Sequence, residues 1–261
     1  MSELTHDRLT RDVTLWQRKK GHRFSSDDTV TAWVATQTAP TANRIADLGC
    51  GIGSVLLHLA WSFPHATLVG IEAQQMSFDL VQRNIVDNGL GERVQAFHGD
   101  LRDPIAVAQV GQRFDLVTGT PPYFPPNTAL DAMDEQRAYA RIEYRGGVEA
   151  YIATGASLLA AGAPLVLCGD ADAEPRVHAA AAVHQLQLNA RTVVLPRAGE
   201  RPLFSVWVLR HATANSAAAG NDLSPTAAAM TRTTTLCLRD TAGERTDDAK
   251  RLREFSGFGY G

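Results

Sequence analysis

Short apolar runs alternate along the chain with longer segments of helical periodicity. The apolar runs predict strands at 44–48, 67–71, 93–97, 113–118, 163–168, 190–195 and 203–210. The segments between them predict helices at 52–62, 75–88, 147–160 and 174–185, and a further helix runs from an N-cap at Asp27 or Asp28 to about Gln37. Alternating strands and helices are typical of a parallel sheet with crossover helices. The pattern therefore predicts an α/β fold with a doubly wound sheet.

Two segments interrupt this alternation. Residues 119–146 form a long connection that is rich in proline at its start and in arginine at its end, and connections of this length usually serve a function. Residues 212–230 are mostly alanine and small polar residues, which indicates a flexible surface insertion. Beyond it, the pattern predicts a strand at 232–238 and a short helix from Thr246 to about Phe255.

A glycine-rich turn follows the first apolar strand, in the run Asp47-Leu48-Gly49-Cys50-Gly51-Ile52-Gly53. Glycines at such a turn allow positive φ angles and a close approach of the backbone to a ligand, and open α/β sheets bind ligands at the carboxyl ends of their strands. A dinucleotide fingerprint needs G-x-G-x-x-G, and here the third glycine comes one residue too early. Asp-x-Gly-x-Gly-x-Gly instead resembles the first motif of the class I S-adenosylmethionine (SAM) methyltransferases.

Acidic residues follow the next two strands. Glu72 can accept hydrogen bonds from both hydroxyls of a ribose, although NAD enzymes place an acid at the same position. In Gly99-Asp100-Leu101, Asp100 can accept from the amino group of adenine while Leu101 covers the ring. An isolated Gly-Asp pair is usually a plain turn, but its place in the series after the glycine turn and Glu72 favours adenine recognition.

The fourth strand leads into Gly119-Thr120-Pro121-Pro122-Tyr123-Phe124. This run resembles the Asn-Pro-Pro-Tyr motif of methyltransferases that act on planar nitrogens, such as the exocyclic amines of bases or side-chain amides. The resemblance implies that the first residue and a proline carbonyl accept the two hydrogens of the amine, while the aromatic ring stacks on the substrate. Two consecutive prolines stiffen the loop, and in-line transfer depends on such positioning.

Thr120 stands where that motif has Asn. A hydroxyl group accepts a hydrogen bond, but it is shorter than an amide and must also place its own proton. Loss of one good acceptor costs roughly 1–3 kcal/mol. Thr120 therefore either weakens transfer to adenine or marks a different acceptor, such as a more basic amine or an acid-derived oxygen.

Several other segments resemble the bacterial tRNA(Val) adenine-N6 methyltransferases. They are Gln17 with residues 21–27, the Arg-x-x-Ala-Arg-x-Glu signature within 136–143, and residues 242–246 followed by Phe255. The chain departs from the family pattern at Ile142, where the family has His, and at Arg245, where it has Tyr. Release-factor glutamine methyltransferases are also related, but they carry a preceding helical domain, and only about forty residues precede the first strand here.

The resemblance implies a seven-stranded Rossmann-like sheet with the last strand antiparallel, SAM as cofactor and S-adenosylhomocysteine (SAH) as product. The implied cofactor-binding residues are Asp47, Gly49, Gly51, Gly53, Glu72, Ala73, Asp100, Leu101 and Thr118. The implied catalytic residues are Thr120, Pro121, Pro122 and Tyr123, and the substrate residues are Phe124, Arg137, Arg141 and Arg23. Arg137, Arg141 and Arg145 lie four apart, so on a helix they would share a face. They either bind phosphate or pair with Glu135, Glu143 and Glu149.

The resemblance also divides the chain into four parts. Residues 1–40 form a segment and helix over the cofactor site, and residues 41–211 form the methyltransferase domain. The flexible insertion at 212–230 is followed by a strand–helix appendage, 231–261, packed on the same domain.

Charge and composition narrow the classes of partner. A net charge of −3 argues mildly against a general nucleic-acid binder, but residues 1–23 contain a local excess of basic residues that could meet phosphate. The three cysteines and eight histidines lack ligand spacing, so no metal is expected. No run is long and apolar enough for a membrane span, and no signal peptide begins the chain, which predicts a cytoplasmic protein.

These observations lead to three hypotheses. The first is an N-methyltransferase of an adenine in RNA, with a tRNA-like substrate. The second is an N-methyltransferase of a small molecule or peptide, which Thr120 and the acidic net charge favour. The third is a non-catalytic SAM-binding partner subunit, and the remaining alternative is a dinucleotide oxidoreductase.

Overall fold

The computed structural model describes residues 3–126, 135–212 and 231–259. The strands are β1 (Leu4–Arg8), β2 (Thr14–Arg18), β3 (Arg44–Leu48), β4 (Thr67–Glu72), β5 (Val94–His98), β6 (Leu116–Gly119), β7 (Leu165–Gly169), β8 (Leu186–Leu195), β9 (Phe204–His211) and β10 (Arg232–Cys237). The helices are α1 (Ser26–Thr38), α2 (Ser54–Ser62), α3 (Gln75–Asp87), α4 (Pro104–Val110), α5 (Glu135–Arg141), α6 (Val148–Leu158), α7 (Glu174–Val183) and α8 (Asp247–Phe255). None of these described helices has the length and apolar composition that a membrane span requires.

Eight strands form the central sheet, in the order β10-β8-β9-β7-β6-β3-β4-β5. β9 runs antiparallel to both of its neighbours, and the other paired strands are parallel. The prediction of a doubly wound sheet in which the last of seven strands is antiparallel is therefore confirmed. The strand predicted at 232–238 becomes β10 and extends that sheet to eight strands, because its backbone pairs with β8 at the edge.

The hydrophobic core covers both faces of the sheet. Neighbouring residues of β9, Val206 and Trp207, are fully buried and pack into different clusters. One cluster contains the apolar sides of α1, α2 and α3, and the other those of α4, α6 and α7. Strands buried on both faces have continuous apolar sequences, and such runs predict strands from the sequence.

Several boundaries differ from the sequence-based expectations. Ser25 is the N-cap of α1, while Asp28 serves as the third residue of a capping box. β8 begins four residues before the predicted 190, because Gln185 takes a φ of 57° and ends the preceding helix early. α4 is short and was not predicted; its N-cap Asp103 accepts a hydrogen bond from the backbone of Ile105.

The N-terminal residues form a hairpin, β1–β2, that the sequence pattern did not indicate. The side chain of Asn84 accepts a 2.7 Å hydrogen bond from the backbone of Trp16, and Asn88 accepts one of 2.9 Å from Thr14. α3 therefore holds the hairpin through its side-chain amides. These contacts join residues that are far apart in the sequence. The predicted insertion at 212–230 lies, apart from residue 212, outside the described residues.

Candidate active site

A cleft of about 780 Å³, counting its open mouth, lies at the carboxyl ends of β3, β4, β5 and β6. The strand order reverses direction at β3, which makes this crevice the topological switch point where open α/β sheets bind ligands. The predicted residues that line it are Gly49, Gly51, Glu72, Ala73, Asp100, Leu101, Thr120 and Pro122. The structure thus brings together residues from four separate strand ends.

The glycine turn forms the wall above β3. Gly49, Gly51 and Gly53 have φ angles of 58°, 55° and 91°, in the left-handed region that favours glycine. No atom lies within 4 Å of the place where a Cβ on Gly51 would be, so this part of the turn faces open space. Gly53 has a packing role instead, because a Cβ there would lie 2.8 Å from Val81, and it does not line the cleft.

Asp47 and Thr118 lie beneath the turn and do not line the cleft. Thr118 donates a 2.8 Å hydrogen bond to Oδ1 of Asp47, and both side chains are almost fully buried. Burial raises the pKa of Asp47 to about 7. Its Oδ2 has no hydrogen-bond partner among the described residues and can accept one from a cationic or protonated group.

Glu72 is held in the cleft wall by two backbone donors. Gly51 donates to Oε2 at 2.9 Å and Gln74 donates to Oε1 at 2.7 Å. Burial raises the pKa of Glu72, and these hydrogen bonds and Arg145 partly oppose the shift. Each carboxylate oxygen keeps further lone pairs for a ligand.

Asp100 occupies the far side of the cleft with Leu101. Arg102 donates to both carboxylate oxygens of Asp100, at 3.0 and 2.7 Å, and these bonds lower the pKa of Asp100. A glycine cradle with two carboxylates at successive strand ends fits the chemistry of SAM, which presents a ribose diol, an adenine amine and an ammonium group.

Some residues of the loop after β6 line the cleft, and others are buried in the core. Thr120 and Pro122 line the cleft, whereas Pro121 is buried and Tyr123 packs against the core cluster that contains α1. The hydroxyl of Tyr123 donates to Asp27 Oδ2 at 3.0 Å and lies 2.9 Å from Cys168 Sγ. Burial raises the pKa of Tyr123 well above its usual value, so the phenol stays protonated. The ring of Tyr123, which was predicted to stack on the substrate, packs against the core and holds the loop in place.

The arginine-rich segment holds the backbone of the same loop. The carbonyl of Arg141 accepts hydrogen bonds from the amides of Tyr123 at 3.1 Å and Phe124 at 2.9 Å. The amide of Glu143 donates to the carbonyl of Phe124 at 2.9 Å. Phe124 and Ile142 thereby form an isolated parallel β-bridge. Phe124 therefore has a backbone role and does not line the cleft.

The structure decides how the acids near these arginines are paired. Arg176 of α7 binds Glu143 and Glu149, at 2.8 and 2.7 Å. Of the two alternatives for the arginines, pairing with Glu143 and Glu149 is not seen among the described residues, because α7 brings a competing guanidinium from farther along the chain.

Within the described ranges, Arg137 and Arg141 form no ion pair, and both act electrostatically on His22 at the cleft. Arg23 instead lies against the hairpin, where it binds Asp7 at 3.2 Å and donates to Thr5 at 2.8 Å.

Sequence reasoning missed several residues of the cleft, namely His22, Asp28, Gln74, Ser77, Tyr139, Arg145 and Tyr151. One signal was available, because His22 lies within the segment 21–27 that carries the family resemblance and Asp28 directly follows it. The others reach the cleft through long-range contacts: Gln136, buried in α5, donates to Ser77, which donates to Gln74. In the described part of the chain, no three His, Cys, Asp or Glu residues are grouped as a metal site would need.

Comparisons with known proteins show the family to which the chain belongs. Residues 24–137 match the family model of the methyltransferase small domain. The tRNA1(Val) (adenine(37)-N6)-methyltransferase of Porphyromonas gingivalis is 30% identical over 180 residues, which cover 67% of this chain and 70% of that protein. The release factor glutamine methyltransferase of Geobacter sulfurreducens is 36% identical over 113 residues, 43% of this chain and 38% of that protein.

A solved methyltransferase structure has a similar fold. The solved structure of a predicted O-methyltransferase from Agrobacterium tumefaciens aligns with a TM-score of 0.62 and 19% identity, over 90% of this chain and 98% of that one. With a relative 30% identical over about two thirds of both chains, this chain belongs to the class I SAM-dependent methyltransferases, in the family of the tRNA1(Val) (adenine(37)-N6)-methyltransferases.

Proposed function

We propose that the protein methylates the exocyclic N6 amine of an adenine in RNA, with a tRNA as substrate. The observation that carries the proposal is the position of Thr120 and Pro122, which line the same cleft as the carboxylates of Glu72 and Asp100. A loop suited to a planar amine beside a site suited to SAM supports the proposal.

The chain's own groups would bind and orient the reactants. SAM supplies a methyl group activated by its positive sulfur. Glu72 and Asp100 would hold its adenosine part, and Asp47 would support the glycine turn from below. Thr120 and a proline carbonyl of the same loop would accept the two N–H hydrogens of the amine, which directs the nitrogen lone pair toward the methyl carbon. Such positioning supplies much of the rate in a direct displacement.

The cations near the cleft suit a phosphate backbone. Arg137 and Arg141 lie on α5, beside the loop that ends in Phe124, and neither forms an ion pair with another described residue. Arginines close to a reaction site can bind RNA phosphates and release counterions. The relative from Porphyromonas gingivalis, named for tRNA1(Val) and adenine 37, supports this choice of acceptor. An enzyme of this kind acts in the cytoplasm, and neither a metal nor a membrane enters the proposal.

The proposal assigns roles to three of the four parts of the chain. Residues 1–40 would cover the cofactor site, and 41–211 would form the methyltransferase domain. The segment 231–261 would pack on the domain as an appendage. His22 and Asp28 in the cleft wall support the first assignment, and the pairing of β10 with β8 supports the last.

The test is methyl transfer from tritiated SAM to tRNA(Val) transcripts. We expect label in the transcript, recovered as N6-methyladenosine after nuclease digestion. A matched transcript with guanine in place of the adenine beside the anticodon should take up no label. Equal labelling of both transcripts, or none of either, would contradict the proposal.

A second acceptor is a glutamine side-chain amide of a protein. Its support is the 36% identity to a release factor glutamine methyltransferase over 113 residues. An amide is also a planar nitrogen, so the same loop would orient it. Label in a release factor of the same cell, absent after Gln→Glu substitution at the acceptor, would favour this function over RNA methylation.

A further inference from the structure

A tyrosine outside every sequence motif forms part of the cleft between β3 and β6. Tyr151 of α6 is 6% exposed and lines the cleft. A Cβ on Gly49 would lie 2.1 Å from its hydroxyl oxygen, and a Cβ on Gly119 would lie 2.7 Å from its ring. Glycine at both positions therefore leaves the room that this side chain occupies.

The hydroxyl group of Tyr151 makes no hydrogen bond to any residue that the structure describes. Burial and the carboxylates of Glu72 and Asp47 raise the pKa of Tyr151, so the phenol remains protonated at neutral pH. Because Tyr151 lines the cleft, its hydroxyl can reach a molecule bound there, whereas phenylalanine would fill the same space without that contact. The hydroxyl is therefore available for a contact with a ligand in the cleft.

The position of Tyr151 indicates which part of the ligand it meets. Gly49 opens the turn of the SAM site, and Gly119 directly precedes Thr120 in the loop that would hold the acceptor. The reacting carbon must lie between donor and acceptor, and Tyr151 contacts the backbone on both sides of that gap.

We propose that Tyr151 is a catalytic residue whose hydroxyl oxygen contacts the positive sulfur of SAM and the methyl group attached to it. The partial negative charge of a phenol oxygen attracts a sulfonium, and polarised C–H groups make weak hydrogen bonds to oxygen. In the transfer, the lone pair of the acceptor forms the new bond to carbon while the carbon–sulfur electron pair remains with sulfur. The proton of the acceptor passes to solvent, and Tyr151 keeps its own proton.

The test is Tyr151→Phe, which removes one oxygen and keeps the ring, with binding of SAM and SAH measured by calorimetry. We expect the Kd for SAM to rise about two- to fivefold, while the Kd for SAH, which lacks the methyl group and the positive charge, is unchanged. The matched control is Tyr144→Phe, at a tyrosine that is 42% exposed and does not line the cleft.

Two results would overturn the proposal. Equal weakening of SAM and SAH would place the hydroxyl against a part that both molecules share, and unchanged binding of both would remove it from the cofactor. The thermal unfolding midpoint, measured for each variant, shows whether the fold is retained. Binding does not depend on the acceptor, so the result stands whether or not RNA is the substrate.

Discussion

The hydroxyl group of Tyr123 donates a 3.0 Å hydrogen bond to Asp27, a residue 96 positions earlier in the chain. This bond ties the loop after β6 to the first turn of α1, while the carbonyl of Arg141 holds the amides of Tyr123 and Phe124 from another side. The loop is therefore positioned by one segment that precedes it in the sequence, at Asp27, and by one that follows it, at Arg141. Because transfer depends on alignment, loss of these contacts should affect turnover more than SAM binding.

Tyr123→Phe removes the hydrogen bond to Asp27 and keeps the packing of the ring. We expect turnover to fall about three- to tenfold, the effect of one hydrogen bond of roughly 1 kcal/mol, with the SAM Kd unchanged. Tyr123→Ala should lower turnover by about tenfold or more, because the ring no longer packs. Methyl-transfer kinetics and calorimetry check both values, and wild-type turnover in the alanine variant would show that the loop does not take part.

Glu72→Ala should weaken SAM binding by about tenfold or more, because hydrogen bonds to a charged group contribute roughly 1.5–3 kcal/mol. The variant also frees the amide of Gly51, which donates to this carboxylate. Calorimetry measures the change. Glu92→Ala, at an exposed acid outside the cleft, is the matched control and should bind normally. An unchanged affinity in Glu72→Ala would exclude this residue from the cofactor site.

Thr120→Asn restores the acceptor that the related motif carries at this position. If the substrate is an adenine, turnover should rise about tenfold or more, since one good acceptor is worth roughly 1–3 kcal/mol. Thr120→Ala should lower it. Initial rates of methyl transfer to a tRNA transcript, measured for both variants and the wild type, check these expectations. A fall in rate for Thr120→Asn would indicate that the hydroxyl is matched to another acceptor.

The double variant Arg137→Ala, Arg141→Ala should weaken RNA binding and make it less sensitive to salt. Each lost phosphate contact reduces the slope of log K against log salt by about one. Fluorescence anisotropy at several salt concentrations measures this slope. Lys250→Ala, at a partly exposed lysine of α8 that pairs with Asp247, serves as the control. A slope equal to that of the wild type would place the RNA elsewhere.

His58 makes stability depend on pH. It is fully buried, its Nε2 lies 3.0 Å from Ser256 Oγ, and burial lowers the pKa of His58 to about 4. An unfolded histidine titrates near 6.5, so its contribution is complete above that pH and is lost as the pH falls toward 4. The loss amounts to about 3 kcal/mol.

Denaturant unfolding between pH 4 and 7 checks this contribution. His58→Leu should flatten the pH dependence relative to the wild type, whereas His65→Gln, at an exposed histidine, should leave it unchanged. Identical slopes in all three proteins would show that His58 is not the titrating group.

Local patterns in the sequence were sufficient for the sheet and for the glycine turn. The central strands are apolar on both faces, and the three glycines adopt the left-handed φ that their spacing suggested. The β1–β2 hairpin was not predicted because most of its residues are polar, β1 has no buried residue, and one of the two buried residues of β2 is Gln17, so the pattern resembles that of a solvated segment.

Sequence patterns were sufficient to locate the strands, the glycine turn and the loop after β6, because periodicity and turn chemistry are properties of neighbouring residues. Three contacts depend on the packing of distant segments: Tyr123 donates to Asp27, Arg176 binds Glu143, and Tyr151 lies beside Gly49. Each of these contacts joins residues far apart in the chain. Their partners are selected by how the helices pack on the sheet, and no local pattern encodes that choice.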